Sequence, residues 1–96
     1  MHLEVPHKST QAAALARVKQ SLEEMRSKIL ENATIAEEKW DGNTLTFDVT
    51  AQGQRVTGTL LVAEKDFIID AKLPMMLRLF EGRIEQEISN RIKALS

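Results

Sequence analysis

The chain changes its hydrophobic period twice. Leu15, Val18, Leu22, Met25 and Ile29 recur at spacings of 3, 4, 3 and 4, which marks one face of an α-helix. The period then shortens to two. Leu45, Phe47 and Val49 interleave with Thr44, Thr46, Asp48 and Thr50, and Val56, Gly58, Leu60 and Val62 with Thr57, Thr59 and Leu61. Phe67, Ile69, Ala71 and Leu73 face one way, and Ile68, Asp70 and Lys72 the other. This alternation predicts half-buried strands. Leu3 and Val5 alternate with His2 and Glu4 in the same manner, and Pro6, which lacks an N–H, ends that strand or holds it at an edge. Residues 33–40 form the least regular strand. From residue 73 onward the helical period returns. Leu77, Phe80, Ile84, Ile88 and Leu95 project within about 80° of one another at 100° per residue, with Ile92 nearby.

The punctuation agrees with these periods. The hydroxyl of Ser9 or Thr10 can cap the first helix. Ala12, Ala13, Ala14 and Ala16 favour helix, Glu24 and Lys28 form an i,i+4 pair, and Asn32 is a stop. Asp41-Gly42-Asn43, Gln52-Gly53-Gln54 and Lys65-Asp66 are turns. Pro74 suits a first helical turn, where its missing N–H costs nothing. The elements therefore read β-α-β-β-β-β-α, a single α+β domain over residues 1–96. The four later strands form an antiparallel meander with one apolar and one threonine-rich face, so both helices belong on the apolar face. The first strand is separated from the second by a long helix and cannot pair with it through a tight turn. Beside the last strand it is antiparallel to its neighbour, which gives the order 1-5-4-3-2.

Size and charge narrow the function. A chain of 96 residues buries roughly 60–70% of its unfolded surface, enough for one core. Thirteen basic and 14 acidic residues give a net charge of −1 and are well mixed, so no basic block favours nucleic acid. The absence of cysteine excludes disulfides, thiolate nucleophiles and zinc–thiolate sites. The first residues lack the pattern of a signal peptide, and no window approaches the ~20 apolar residues of a membrane span. The expectation is a soluble, cytoplasmic protein.

The start of the final helix is overfurnished. Met75, Met76, Leu77, Leu79 and Phe80 crowd six residues and point in too many directions for one buried face. Met75 and Leu79 lie nearly opposite the core stripe, and Gly82 continues that outer line. Soluble proteins seldom expose contiguous apolar patches without use, and Met suits adaptable contacts. Met75, Met76, Leu79 and Gly82 are therefore candidates for an interaction surface. Burial under helix ends and the neighbouring helix is the plainer alternative. For Gly82 the alternative is close packing against the first helix or the sheet.

Other residues carry less chemistry. His2, His7 and Glu4 suggest a metal cluster, but His7 follows Pro6 and lies off the strand line, and no third ligand is local. His7 fits better as a hydrogen-bonding corner between strand and helix. Glu81, Glu85 and Glu87 lie on a helix flank with Arg83, Arg91 and Lys93, not in a converging pair. The serines lack a nucleophile elbow and the glycines make no phosphate loop. Trp40 beside Asp41-Gly42 anchors a hairpin or stacks on a ligand. No cofactor is expected.

Several segments in sequence carry a family likeness. Val5-Pro6-His7 precedes an alanine-rich helix carrying Arg17, and Trp40 to Phe47 makes the first hairpin. Gly58-Thr59-Leu60 lies mid-strand, and Leu73-Pro74 leads through Phe80 to Gly82-Arg83-Ile84-Glu85. This resembles the small polyhydroxyalkanoic acid system proteins, also called polyhydroxyalkanoate granule region proteins. Ser9-Thr10 and Met75-Met76 depart from the family pattern at the two helix entries. The resemblance implies a bacterial, cytoplasmic, non-enzymatic role at or near storage-polyester granules. The element order also looks like a reduced helix-grip fold, an analogy of fold alone.

Three functions follow as expectations. The first is an interaction module whose final helix entrance meets an apolar surface, a granule or granule protein, or a second protomer in a homodimer. The second is a binder of an apolar small molecule, lined by Phe47, Leu60, Ile69, Phe80 and Ile84, which requires a cavity of roughly 300 Å³. In a chain this short that space is expected to be filled. The third, an enzyme, requires a converging polar constellation that these residues do not suggest.

Overall fold

The computed structural model describes residues 1–95. Strand β1 (His2–Pro6) leads to helix α1 (Gln11–Asn32). Thr10 caps the helix, its hydroxyl oxygen accepting from the Ala13 amide at 3.1 Å, so one otherwise unpaired helical donor is satisfied. Four strands follow: β2 (Thr34–Asp41), β3 (Thr44–Ala51), β4 (Gln54–Val62) and β5 (Asp66–Lys72). They join β1 in one antiparallel sheet of order β1-β5-β4-β3-β2, so the fold is α+β. Gln52 and Gly53 both have positive φ, 51° and 76°, as the tight turn between β3 and β4 requires to match the strand twist.

The pleat puts Leu45, Phe47 and Val49 on one face with Leu60, Val56, Ile69 and Leu73. Phe47 stands opposite Gly58 across the β3–β4 pair. A Cβ at Gly58 would lie 2.2 Å from the Asp70 carbonyl oxygen and 3.0 Å from the Phe47 ring. The missing side chain is therefore what lets that ring lie against the sheet. In β2, Ile35 opposes Val49, Glu38 opposes Phe47 and Trp40 opposes Leu45, with an irregularity between Ile35 and Glu37. The bulge changes the phase of the strand, so that Ile35, Glu38 and Trp40 share the inner face although their spacing is 3 and then 2.

The final helix departs from expectation. It is two helices, a four-residue α2 (Met75–Arg78) and α3 (Glu81–Lys93). At the junction the Phe80 amide donates to the Leu77 carbonyl at 3.0 Å, an i→i+3 bond that tightens the turn and interrupts the i→i+4 ladder. Phe80 sits at φ −114°, ψ 16°. The phase of the stripe is lost there, so Phe80, expected on the core face, is exposed.

Helices α1 and α3 lie on the inner face, and a buried core cluster sits toward one end. Ala14 and Val18 of α1 pack on Val62 and Phe67, with Leu15, Trp40, Ile92 and Leu95 around them. Arg17 Nη1 donates to the Leu95 carbonyl at 3.2 Å, tying the start of α1 to the chain after α3. Gln11 reaches the Val62 carbonyl at 2.9 Å. Ala14, expected only to favour helix, is fully buried; its small side chain lets α1 approach the sheet closely.

Gly58→Ala should destabilise the fold by at least about 2 kcal/mol, since overpacking alone costs about 1–3 and the obstacle here is backbone. Urea unfolding measures this, and a loss below about 0.5 kcal/mol would contradict the close approach.

Candidate functional site: an apolar cleft and an apolar corner

Toward the other end of the helices the packing opens. A cleft of about 340 Å³ lies between the sheet and the helices. Its floor is Leu45, Phe47 and Val49 of β3, Val56 and Leu60 of β4, and Ile69 and Ala71 of β5. Leu22 and Ile29 of α1, Leu77 of α2 and Ile84 and Ile88 of α3 form its sides. The inner space is therefore not filled. Phe47, Leu60, Ile69 and Ile84 come together in the cleft wall, while Phe80 does not, because the break before α3 turns it outward.

Charged side chains border the cleft: Arg26, Glu37 and Glu38. Arg26 of α1 meets Glu38 of β2 in a two-pronged pair, Nη1 to Oε1 and Nη2 to Oε2, both at 2.8 Å. Glu23 also accepts from Arg26, at 3.3 and 3.4 Å. The guanidinium pKa is raised by the Glu38 hydrogen bonds and then by Glu23. This strut fixes the far half of α1 over β2 and holds the cleft's width. Periodicity could not reveal it, because it depends on the bulge that turns Glu38 inward.

At the entrance to α3 stands the corner. Met75 is 82% exposed, Met76 65%, Leu79 81% and Phe80 55%. Gly82 is exposed, and a Cβ there would meet nothing within 4 Å, so close packing inside the protomer does not explain it. The Met1 amine donates to the Ala71 carbonyl at 2.8 Å and lies 3.3 Å from the Glu81 carboxylate, which ties the head of α3 to the sheet.

The histidines separate. His7 is buried against Phe67, with ring centroids 4.9 Å apart, and its Nε2 donates to the Ala63 carbonyl at 2.9 Å. Its Nδ1 has no partner among the described residues. His2, on the opposite sheet face, bonds Glu4 through Nε2 at 2.8 Å and Asp70 through Nδ1. Trp40 is half-buried beside the core, with Lys19 Nζ 5.0 Å from its ring centroid, and is not in the cleft wall. Among the described residues no group of three His, Cys, Asp or Glu is placed to hold a metal ion, and no helix is long and apolar enough to cross a membrane.

The arrangement defines a small α+β protein whose helices meet at one end of an antiparallel sheet and leave an apolar cleft at the other. The family model described as "Putative polyhydroxyalkanoic acid system protein" matches residues 1–95, and the chain belongs to that family. No curated protein and no solved structure matches it. The family name links the chain to polyhydroxyalkanoate systems.

Two predictions follow from the local geometry. The His2 pKa is raised above 6.5 by its hydrogen bond to Glu4 and then by Asp70. A raised histidine pKa means stability fully present below the unfolded value and lost as pH rises through the folded one. An NMR titration should place the His2 midpoint above 6.5, and Glu4→Gln should lower it; an unmoved midpoint would contradict the pairing. At Gly82, alanine meets no obstacle, so Gly82→Ala should stabilise by about 0.4–1 kcal/mol. Thermal unfolding would show this as a rise of a few degrees.

Proposed function

We propose that this chain is a non-enzymatic interaction module of a bacterial storage-polyester system, working in the cytoplasm and contacting the polymer through its apolar corner. The carrying observation is the set of four large apolar side chains, Met75, Met76, Leu79 and Phe80, exposed at one helix entrance. Apolar side chains gain about 1.5–3 kcal/mol each on full burial. A hydrated polyester surface offers such burial without a shaped partner, and methionine adapts to an irregular one. Gly82, unobstructed beside the corner, allows close approach of the α3 backbone. The family link supplies the polymer.

A second reading is supported by the cleft: a reduced helix-grip-like protein that holds an apolar small molecule between sheet and C-terminal helix. The volume of about 340 Å³ is at the lower end of ligand sites, which start at about 300 Å³.

The first reading is tested with the purified chain and amorphous polyhydroxyalkanoate particles. The wild type should co-sediment, and Met75→Glu with Leu79→Glu should weaken binding at least tenfold while leaving the thermal midpoint within a few degrees. Wild-type protein that stays in the supernatant would sink the reading. If instead the double substitution converts a dimer to a monomer on sizing, the corner's occupant is a second copy of the chain.

A further inference from the structure

The cleft's border also indicates what kind of molecule it accepts. We propose that it holds the aliphatic chain of an uncharged molecule, an alcohol or an ester, and discriminates against a carboxylate amphiphile with the same chain. This rests on the small-molecule reading of the cleft.

The charged side chains that line the cleft are Arg26, Glu37 and Glu38, and Met1 lines it too. Arg26 has both terminal nitrogens on Glu38, and its Nε and Nη2 on Glu23. The Met1 amine is engaged by the Ala71 carbonyl and Glu81. An entering carboxylate finds both cations already held by carboxylates, Arg26 by two of them, and meets the further negative charge of Glu37 in the lining; to take the Arg26 fork it would have to displace Glu38, giving up two charge-assisted bonds. The border therefore carries more negative than positive charge, and a carboxylate head is repelled there whether it enters the cleft or stays at its rim. The walls are aliphatic side chains and the Phe47 ring, which suit methylenes. A hydroxyl or ester group at the rim carries no charge for that border to repel.

Titration calorimetry of the full chain with 1-decanol and decanoate, each below its aggregation limit, tests this. Decanol should bind at least tenfold more tightly than decanoate. Decanoate binding as well as decanol would overturn the charge assignment and leave the cleft reading standing. Binding of neither would overturn the cleft reading itself. Two variants, checked for folding by circular dichroism, locate the effect. Ile88→Trp, which fills the cleft, should reduce decanol affinity at least tenfold, and undiminished affinity would place the ligand elsewhere. Glu38→Gln frees the Arg26 fork, so decanoate should gain on decanol at least fivefold. An unchanged ratio would overturn the role assigned to the pair.

Discussion

The seating of Ala14 and Val18 on Val62 and Phe67 governs much of this molecule. There Ala14, Val62 and Phe67 are fully sealed from water and Val18 is 3% exposed. The position of this seating near the β4–β5 turn fixes the start of α1 and, through Arg17 and Leu95, the end of the α3 segment. Toward the opposite end Leu45, Ile69 and Leu73 are buried as well, but the helices leave the cleft open above them. The cleft follows from this uneven anchoring: helices held together at one end need not close at the other. The Arg26–Glu38 pair then sets the spacing of α1 from β2 where apolar packing has thinned.

Much of this was legible in the residues. The alternation in 44–51, 54–62 and 66–72 places the right side chains on the right face, and the length of α1 forbids a β1–β2 hairpin. Strand β2 was the hardest to read because Ala36 is the surplus residue of a bulge, and a two-residue period cannot survive an insertion. The final helix was read as unbroken because helical projection assumes constant phase, and one i→i+3 bond at Phe80 violates it. Met75 and Leu79 were legible as outward-facing from that same projection, since they precede the break. The filled interior was a wrong expectation. Apolar positions were counted, but counting does not say whether facing positions touch. Leu22 and Ile29 belong to the α1 stripe, yet line a cleft.

Corner and cleft are neighbours in the chain. Leu77 lines the cleft while Met76 and Leu79, on either side of it, face solvent. A four-residue helix is too short to be stable alone, so α2 depends on what its two sides touch. Contact at the corner and occupancy of the cleft thus act on the same short segment. The two proposed roles are compatible in one protein: a surface to meet polymer, and beside it a space to hold one neutral chain.

The margins of the sheet have a consequence of their own. Strand β1 is five residues long and ends in Pro6, which has no donor to offer. Strand β2 is kinked by its bulge and carries Glu37 and Lys39 along the opposite margin. Such features discourage a further strand from adding on. A protein with exposed methionines and an unfilled apolar interior runs an evident risk of stacking into fibrils when crowded, and both rims of this sheet are shaped against that templated growth.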